Sequence, residues 1–307
     1  MSMDYPTVLA SKLSCKQGAV RAVRFNVDGN YCITAGADKS VKLWNPYISV
    51  LLQTYMGHGY EVLDVQASCD SAHIASGGMD KCVFYWDVST AHILRKFRGH
   101  AGCINSVSFN EESTVILSAA GDNTICAWDC RSKSREPIQI MRDAKDAVTS
   151  LSVSDHEILA ASLDCCIRRY DLRMGQLYQD NLGCSVNCIR FTKDGQCALA
   201  SCLDNALRLV DKDSGEILSE YHGHKNENYR IESCLNNTDS LIISGSEEGC
   251  VYFWDLIEGT IKSKLEHIGH KVVHSVSFHP LKPVMLTAAE TTVYLWTNSV
   301  STEETSD

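Results

Sequence analysis

One residue position recurs along this chain with a period near 42. Seven stretches, SVKLWN, CVFYWD, TICAWD, CIRRYD, ALRLVD, CVYFWD and TVYLWT, place Trp44, Trp86, Trp128, Tyr170, Val210, Trp254 and Trp296 at intervals of 42, 42, 42, 40, 44 and 42 residues. A second apolar run precedes each by about ten residues, from YCITAG to VMLTAA, and a third lies further upstream, from VRAVRFN to VHSVSFH. Each run is short, rich in Val, Ile, Phe and Ser, and bounded by Gly, Asp or Asn, which is the chemistry of strands separated by turns. The middle run is almost continuously apolar, as suits a strand covered on both faces, whereas the first alternates. No helical stripe of comparable strength occurs.

This pattern predicts an all-β chain folded as a seven-bladed β-propeller. Length alone would suggest two domains; the repeat makes residues 1–307 one domain, with blades over about 8–297. Residues 11–20, SKLSCKQGAV, align with residues 95–104, RKFRGHAGCI, an outer strand leading into a blade. The last repeat ends at Trp296 without such a strand, so the N-terminal strand is expected to complete blade seven and close the ring. An open array would leave those edges unpaired. Residues 298–307 are polar and acidic, an expected disordered tail.

Charge and apolar content narrow the function. With 28 basic and 38 acidic residues the formal charge is −10, which works against direct binding of nucleic acid or anionic lipid. No apolar run approaches the ~18 residues of a membrane span. The start, MSMDYPTVLA, lacks a basic region followed by a long apolar one, so a cytoplasmic location is expected. The 15 cysteines, many inside apolar runs such as YCIT and NCIRF, then read as buried free thiols. The sequon at Asn236-Asn237-Thr238 is expected to be idle.

Gly-His pairs (Gly57-His58, Gly99-His100, Gly223-His224, Gly269-His270) and Trp-Asp pairs (Trp86-Asp87, Trp128-Asp129, Trp254-Asp255) punctuate the repeats. Over nearly the whole chain they resemble the WD-repeat family. His58, Ser76 and Asp80 contain the parts of a hydrolase triad, but the set recurs as His100, Ser118 and Asp122, as His224, Ser244 and Glu248, and as His270, Thr287 and Glu290. A catalytic site needs one copy. The resemblance implies instead that these residues, with Trp86, Trp128, Trp254 and Trp296, form buried structural hydrogen-bond networks. Repeats four and five carry Ala160 with Tyr170 and Ala200 with Val210, and keep only Asp164 and Asp204, so those blades are expected to be held mainly by apolar packing.

His267, His270, His274 and His279 mimic a metal cluster, but one is assigned to a network and the others fall in a turn and a strand. Cys165 and Cys166 are adjacent in a strand and point to opposite faces. No C-x-x-C, phosphate-binding loop or dinucleotide-binding motif occurs. No metal, no cofactor and no enzymatic activity are expected.

The resemblance implies binding through the face that carries the loops entering each innermost strand. By register these positions are Arg21, Glu61, Leu63, Met79, Asn105, Leu163, Asn187, Leu203, Tyr229, Ile231 and His274. Several are more apolar than a solvated turn requires, which suggests a protein-binding patch. The KNENY loop after His224 is two residues longer than its counterpart in repeat three and is expected to protrude nearby. Longer strings, including QGAVRAVRFNVDGNYC and RRYDLRMGQL, resemble a group of WD-repeat scaffolds that organise mitogen-activated protein kinase cascades. That likeness implies a non-catalytic scaffold, expected to be monomeric, with kinase-cascade components or their adaptors as partners. It also implies links to prolyl hydroxylase regulation, polarity complexes and spliceosomes, hence a nuclear location as well. The alternatives are a spliceosome-associated structural component or a substrate receptor of a cullin-4 ubiquitin ligase, the latter docking through Trp128-Asp129-Cys130-Arg131 and Tyr170-Asp171-Leu172-Arg173; local pairing of Asp with Arg at a solvated rim is the plainer reading of those two elements.

Overall fold

A computed structural model describes residues 5–298, whose regular elements are all strands. The strands form seven four-stranded antiparallel sheets. Blades one to six use consecutive strands over residues 20–56, 62–98, 104–141, 148–181, 186–222 and 233–266. Blade seven combines Val273–Phe278, Val284–Ala289 and Thr292–Thr297 with the N-terminal strand Val8–Ser14. Val8 lies opposite Thr297 and Ser14 opposite Thr292, so the first strand closes the ring. Residues 299–307, almost all of the expected disordered tail, lie outside the described residues.

The core is divided into seven clusters, each between neighbouring blades. Tyr85 and Phe97 of blade two pack with Ile116 and Trp128 of blade three, for example, and Leu13 and Leu295 of blade seven pack with Val20 and Trp44 of blade one. This explains the continuous apolar middle strands, because both their faces are covered. Cys197–Cys202, with Ala198, Leu199, Ala200 and Ser201 buried, is typical.

The serines of the innermost strands have a separate cause. Each innermost strand has one edge without a partner strand, and its N–H groups need acceptors. Side chains of the preceding blade supply them. Val23 N donates to Ser275 Oγ at 3.0 Å, Phe25 N to Ser277 Oγ at 3.2 Å, Phe191 N to Ser152 Oγ at 3.1 Å, and Phe109 N to Gln66 Oε1 at 3.0 Å. Sequences such as VHSVSFH therefore join neighbouring sheets as well as lining the axis.

Candidate protein-binding face

The axis is crossed by a charged hub. Arg24 of blade one donates twice to the buried Glu232 carboxylate of blade six, at 2.6 and 2.5 Å, and once to Asp64 of blade two at 2.9 Å. Ser275 donates to Glu232 at 2.5 Å and Ser106 to Asp64 at 2.9 Å. Arg230 and Arg190 stand 3.3 and 3.8 Å from Glu232. Burial alone would raise the Glu232 carboxyl, but the neighbouring guanidiniums, Arg24 first, overcome it and hold it well below the usual carboxylate range. Buried carboxylates survive only with such partners.

On one side of the hub lies a cavity of about 170 Å³ lined by Arg21, Leu63, Asn105, Tyr229, Arg230, Glu232 and His274. Five of these were assigned to the binding face by register alone. Arg21 also pairs with Glu61 at 3.3 Å. Burial, with Arg21 adding to it, holds the His274 imidazole below its usual pKa, so the ring meets the cavity neutral at physiological pH. Tyr229 is 47% exposed and Met79 48% exposed; Leu163 and Leu203 are half-buried further out.

Two assigned face residues are corrected. Ile231 is fully buried, so it is packing and not part of the exposed face. Asn187 is also buried, with its amide donating to Asn226 Oδ1 at 2.9 Å and to the Tyr229 carbonyl at 3.1 Å.

Asn187 therefore anchors the longer loop. Asn226 is buried and its amide donates to Ser201 Oγ and the Cys202 carbonyl, both at 3.1 Å. Glu247 Oε1 accepts the backbone N–H groups of Glu227, Asn228 and Tyr229 at 2.8, 2.5 and 3.1 Å. The insertion is pinned at both ends and presents Tyr229 at the cavity mouth. Glu247 and Asn226 carried no motif that would single them out in the sequence.

Beneath the face, blades two and three hold the quartets. His58 Nε2 meets Ser76 Oγ at 2.8 Å, Trp86 Nε1 donates to the same oxygen at 2.8 Å, and His58 Nδ1 faces Asp80 at 3.0 Å. His100, Ser118, Trp128 and Asp122 repeat this at 2.8, 2.8 and 3.1 Å. Both serines are fully buried, so neither hydroxyl opens to a substrate.

The other two quartets are corrected. In blade seven His267, not His270, contacts Thr287 at 2.8 Å, and Trp296 donates to the same hydroxyl at 2.9 Å. The His267 backbone N–H donates to the Gly249 carbonyl at 3.0 Å, extending the outer strand, while His270 turns away in a left-handed conformation (φ 49°) and Glu290 pairs with Lys271 at 3.0 Å. In blade six Trp254 donates to the His222 carbonyl at 3.0 Å, Ser244 to the Gly245 carbonyl at 3.1 Å, and Glu248 accepts from Tyr252 at 3.3 Å. His224 lies buried edge-on to Trp254 without joining them, and burial lowers its pKa to about 4.

Blade one has an unforeseen version. Gln17 accepts from Thr34 at 2.5 Å, Trp44 donates to Thr34 at 3.0 Å, and Gln17 donates to the Ser40 carbonyl at 2.9 Å. Blades four and five are not held by apolar packing alone. Arg168 donates twice to Asp164, at 3.1 and 2.6 Å, and Arg208 reaches Asp204 at 2.6 Å. An arginine four residues beyond the turn aspartate takes the place of the lost histidine.

The four suspected metal-binding histidines have separate surroundings. His274 lines the axial cavity, and His279 Nδ1 accepts the N–H groups of Leu281 and Lys282, both at 2.9 Å. Arg131 and Arg173 are 74% and 65% exposed; each neighbouring aspartate, Asp129 or Asp171, accepts the arginine's own backbone N–H, at 2.7 and 2.9 Å.

The sequence profile of the family described as "WD domain, G-beta repeat" matches residues 8–45, 49–87, 91–129, 176–211, 215–255 and 261–297. The chain belongs to the WD-repeat family. It is similar to WD repeat domain-containing protein 83 of Rattus norvegicus, with 61% identity covering 95% of this chain and 93% of the relative. The protein of that name in Homo sapiens is 59% identical over the same shares. A homolog in Dictyostelium discoideum is 36% identical, covering 94% and 99%. The family profile skips residues 130–175, most of blade four, where the Gly-His pair and the tryptophan are missing; the blade is nonetheless a complete sheet. WD-repeat propellers are generally non-catalytic and bind proteins, and this fold suits an interaction scaffold.

Proposed function

We propose that this chain is a non-catalytic scaffold that gathers signalling proteins, foremost components of a mitogen-activated protein kinase cascade or their adaptors. Polarity-complex and spliceosomal proteins are further partners, and the site of action is the cytoplasm and the nucleus. The observation that carries the docking surface is the convergence of Arg21, Leu63, Asn105, Tyr229 and His274, from five blades or their loops, on one axial cavity. An aromatic anchor beside an arginine and a neutral imidazole is the composition of a protein-binding hot spot. Holding two partners on one ring raises their effective concentration without chemistry.

The test is affinity capture from cells with Leu63→Asp, Leu163→Asp and Tyr229→Asp combined, with crosslinking to map the partners. Loss of kinase-cascade proteins from a folded variant supports the reading; undiminished recovery refutes the face. A ligase receptor is the second reading, favoured by the exposure of Arg131 and Arg173. It requires that Arg131→Glu with Arg173→Glu abolish binding of the ligase adaptor.

A further inference from the structure

Blade five carries two thiols that the proposed face does not use: Cys202 belongs to the core between blades four and five, and Cys184 packs at its edge. Cys184 Sγ, Cys202 Sγ and a carboxylate oxygen of Asp204 lie within 4.8 Å of one another. Arg208 enters the same group: one guanidinium nitrogen stands 2.7 Å from Cys184 Sγ, another 2.6 Å from Asp204, and Nε reaches Glu220 at 2.8 Å. The hairpin register brings them together. Cys202 ends the strand Cys197–Cys202, Asp204 lies in the turn, and Arg208 is on the return strand Ala206–Asp211. Cys184 lies two residues before Val186, which is opposite Cys202. By the same register, the corresponding positions are Gly102 and Ala120 in blade three and Asp146 and Ser162 in blade four, so the repeat itself does not call for two thiols here.

We propose that Cys184 and Cys202 form a peroxide-reactive dithiol that closes to a disulfide. Cys184 is partly exposed and is the sulfur an oxidant reaches; Cys202 is fully buried. A guanidinium in hydrogen-bond contact with a sulfur favours thiolate, the nucleophilic form. The two sulfurs lie within 4.8 Å of each other and share one labile proton: each acts chiefly on the other, holding Cys202 below the usual thiol range and Cys184 above it, so the pair ionises once. As the proton passes to Cys202, Cys184 sulfur attacks one oxygen of hydrogen peroxide. The O–O bond breaks, the departing hydroxide takes the proton from Cys202 and leaves as water, and Cys184 becomes a sulfenic acid. Cys202 thiolate then attacks the Cys184 sulfur, the S–O bond breaks, and the departing hydroxide takes a proton from solvent and leaves as a second water. Two thiols lose two electrons in total, and the peroxide gains them. A divalent cation is disfavoured in the same place, because the guanidinium already stands against one of the sulfurs.

The dithiol is independent of the scaffold reading. The full-length protein is treated with a small molar excess of hydrogen peroxide at pH 7.5, remaining thiols are alkylated, and peptides are identified by mass spectrometry. The expected product is a Cys184–Cys202 linked peptide that dithiothreitol reverses. In Cys202→Ser, dimedone is expected to label Cys184. Arg208→Leu is expected to slow the linkage about tenfold at pH 7.5, the effect of a one-unit change in thiol ionisation, and Arg208→Lys to restore most of the rate. Recovery of both cysteines unmodified while the exposed Cys69 is oxidised overturns the proposal. So does separate oxidation of both without a linked peptide. The wild-type measurement stands even where a variant fails to fold.

Discussion

The same substitution in two blades tests the hydrogen-bond assignments directly. Ser76 Oγ accepts from Trp86 Nε1 and meets His58 Nε2, both at 2.8 Å, in a fully buried site. Ser76→Ala leaves two buried polar groups without a partner. Each orphan costs about 1–3 kcal/mol, so the loss is about 2–6 kcal/mol. Ser244 occupies the corresponding place in blade six, but its hydroxyl donates to the Gly245 carbonyl at 3.1 Å, and Trp254 uses the His222 carbonyl instead. Ser244→Ala removes one ordinary hydrogen bond and orphans no donor, a loss of about 0.5–1.5 kcal/mol. Guanidinium chloride unfolding at pH 7.5 compares the two; the midpoint shifts and the slope should not. A Trp86→Phe background removes the indole donor and should reduce the cost of Ser76→Ala by about 1 kcal/mol in a double-mutant cycle. Equal losses at Ser76 and Ser244, or a loss below about 1 kcal/mol at Ser76, refute the reasoning.

The buried charges and rings give three further outcomes. Burial holds His224 and His267 at about 4, against 6.5 for a free imidazole. It is the leading cause for both rings, opposed at His267 by the contact with the Gly249 backbone. Between pH 6.5 and 4 the unfolded chain therefore takes up protons that the folded chain refuses, so stability is full above pH 6.5 and falls as the pH drops. The loss is about 1.4 kcal/mol per pH unit for each ring; urea unfolding at pH 7.5 and 5.0 should show it, with a shallower pH dependence in His224→Gln. Glu232→Ala removes two of Arg24's three carboxylate hydrogen bonds, leaving the one to Asp64, and should cost about 3–5 kcal/mol by chemical denaturation, with a smaller loss in Glu232→Gln. Glu247→Ala should speed amide hydrogen exchange at Glu227, Asn228 and Tyr229 by at least about tenfold, from the loss of charge-assisted hydrogen bonds, while leaving the melting temperature of the other blades nearly unchanged.

The ring was legible in the sequence because its determinants are local and repeated. Strand alternation, turn residues and the spacing of Trp44, Trp86 and Trp128 all lie within one period, and the likeness of residues 11–20 to residues 95–104 anticipated the closure. The quartets of blades two and three were legible for the same reason. Blade seven was misread because EHIGH offers two histidines, and the Gly-His pattern selects the second. One additional strand hydrogen bond, His267 to Gly249, puts the first inside. Gln17 escaped notice because its amide performs an imidazole's task without resembling one. The hub was not legible at all: Arg24 and Glu232 are 208 residues apart and meet only after closure. Five residues of the axial cavity were found by counting register, whereas Ile231 followed the same count into the core.

The pairing of Val8–Ser14 with Thr292–Thr297 has a consequence in time. The strand Val8–Ser14 leaves the ribosome before every blade of the ring and must wait for Thr292–Thr297 before it finds its partner. Until then, the cluster in which Leu13 and Val20 meet Leu286 and Leu295 cannot assemble, and the growing chain carries a bare apolar flank at each end. Chaperone capture during synthesis should therefore persist until the final repeat emerges and then fall away in a single step.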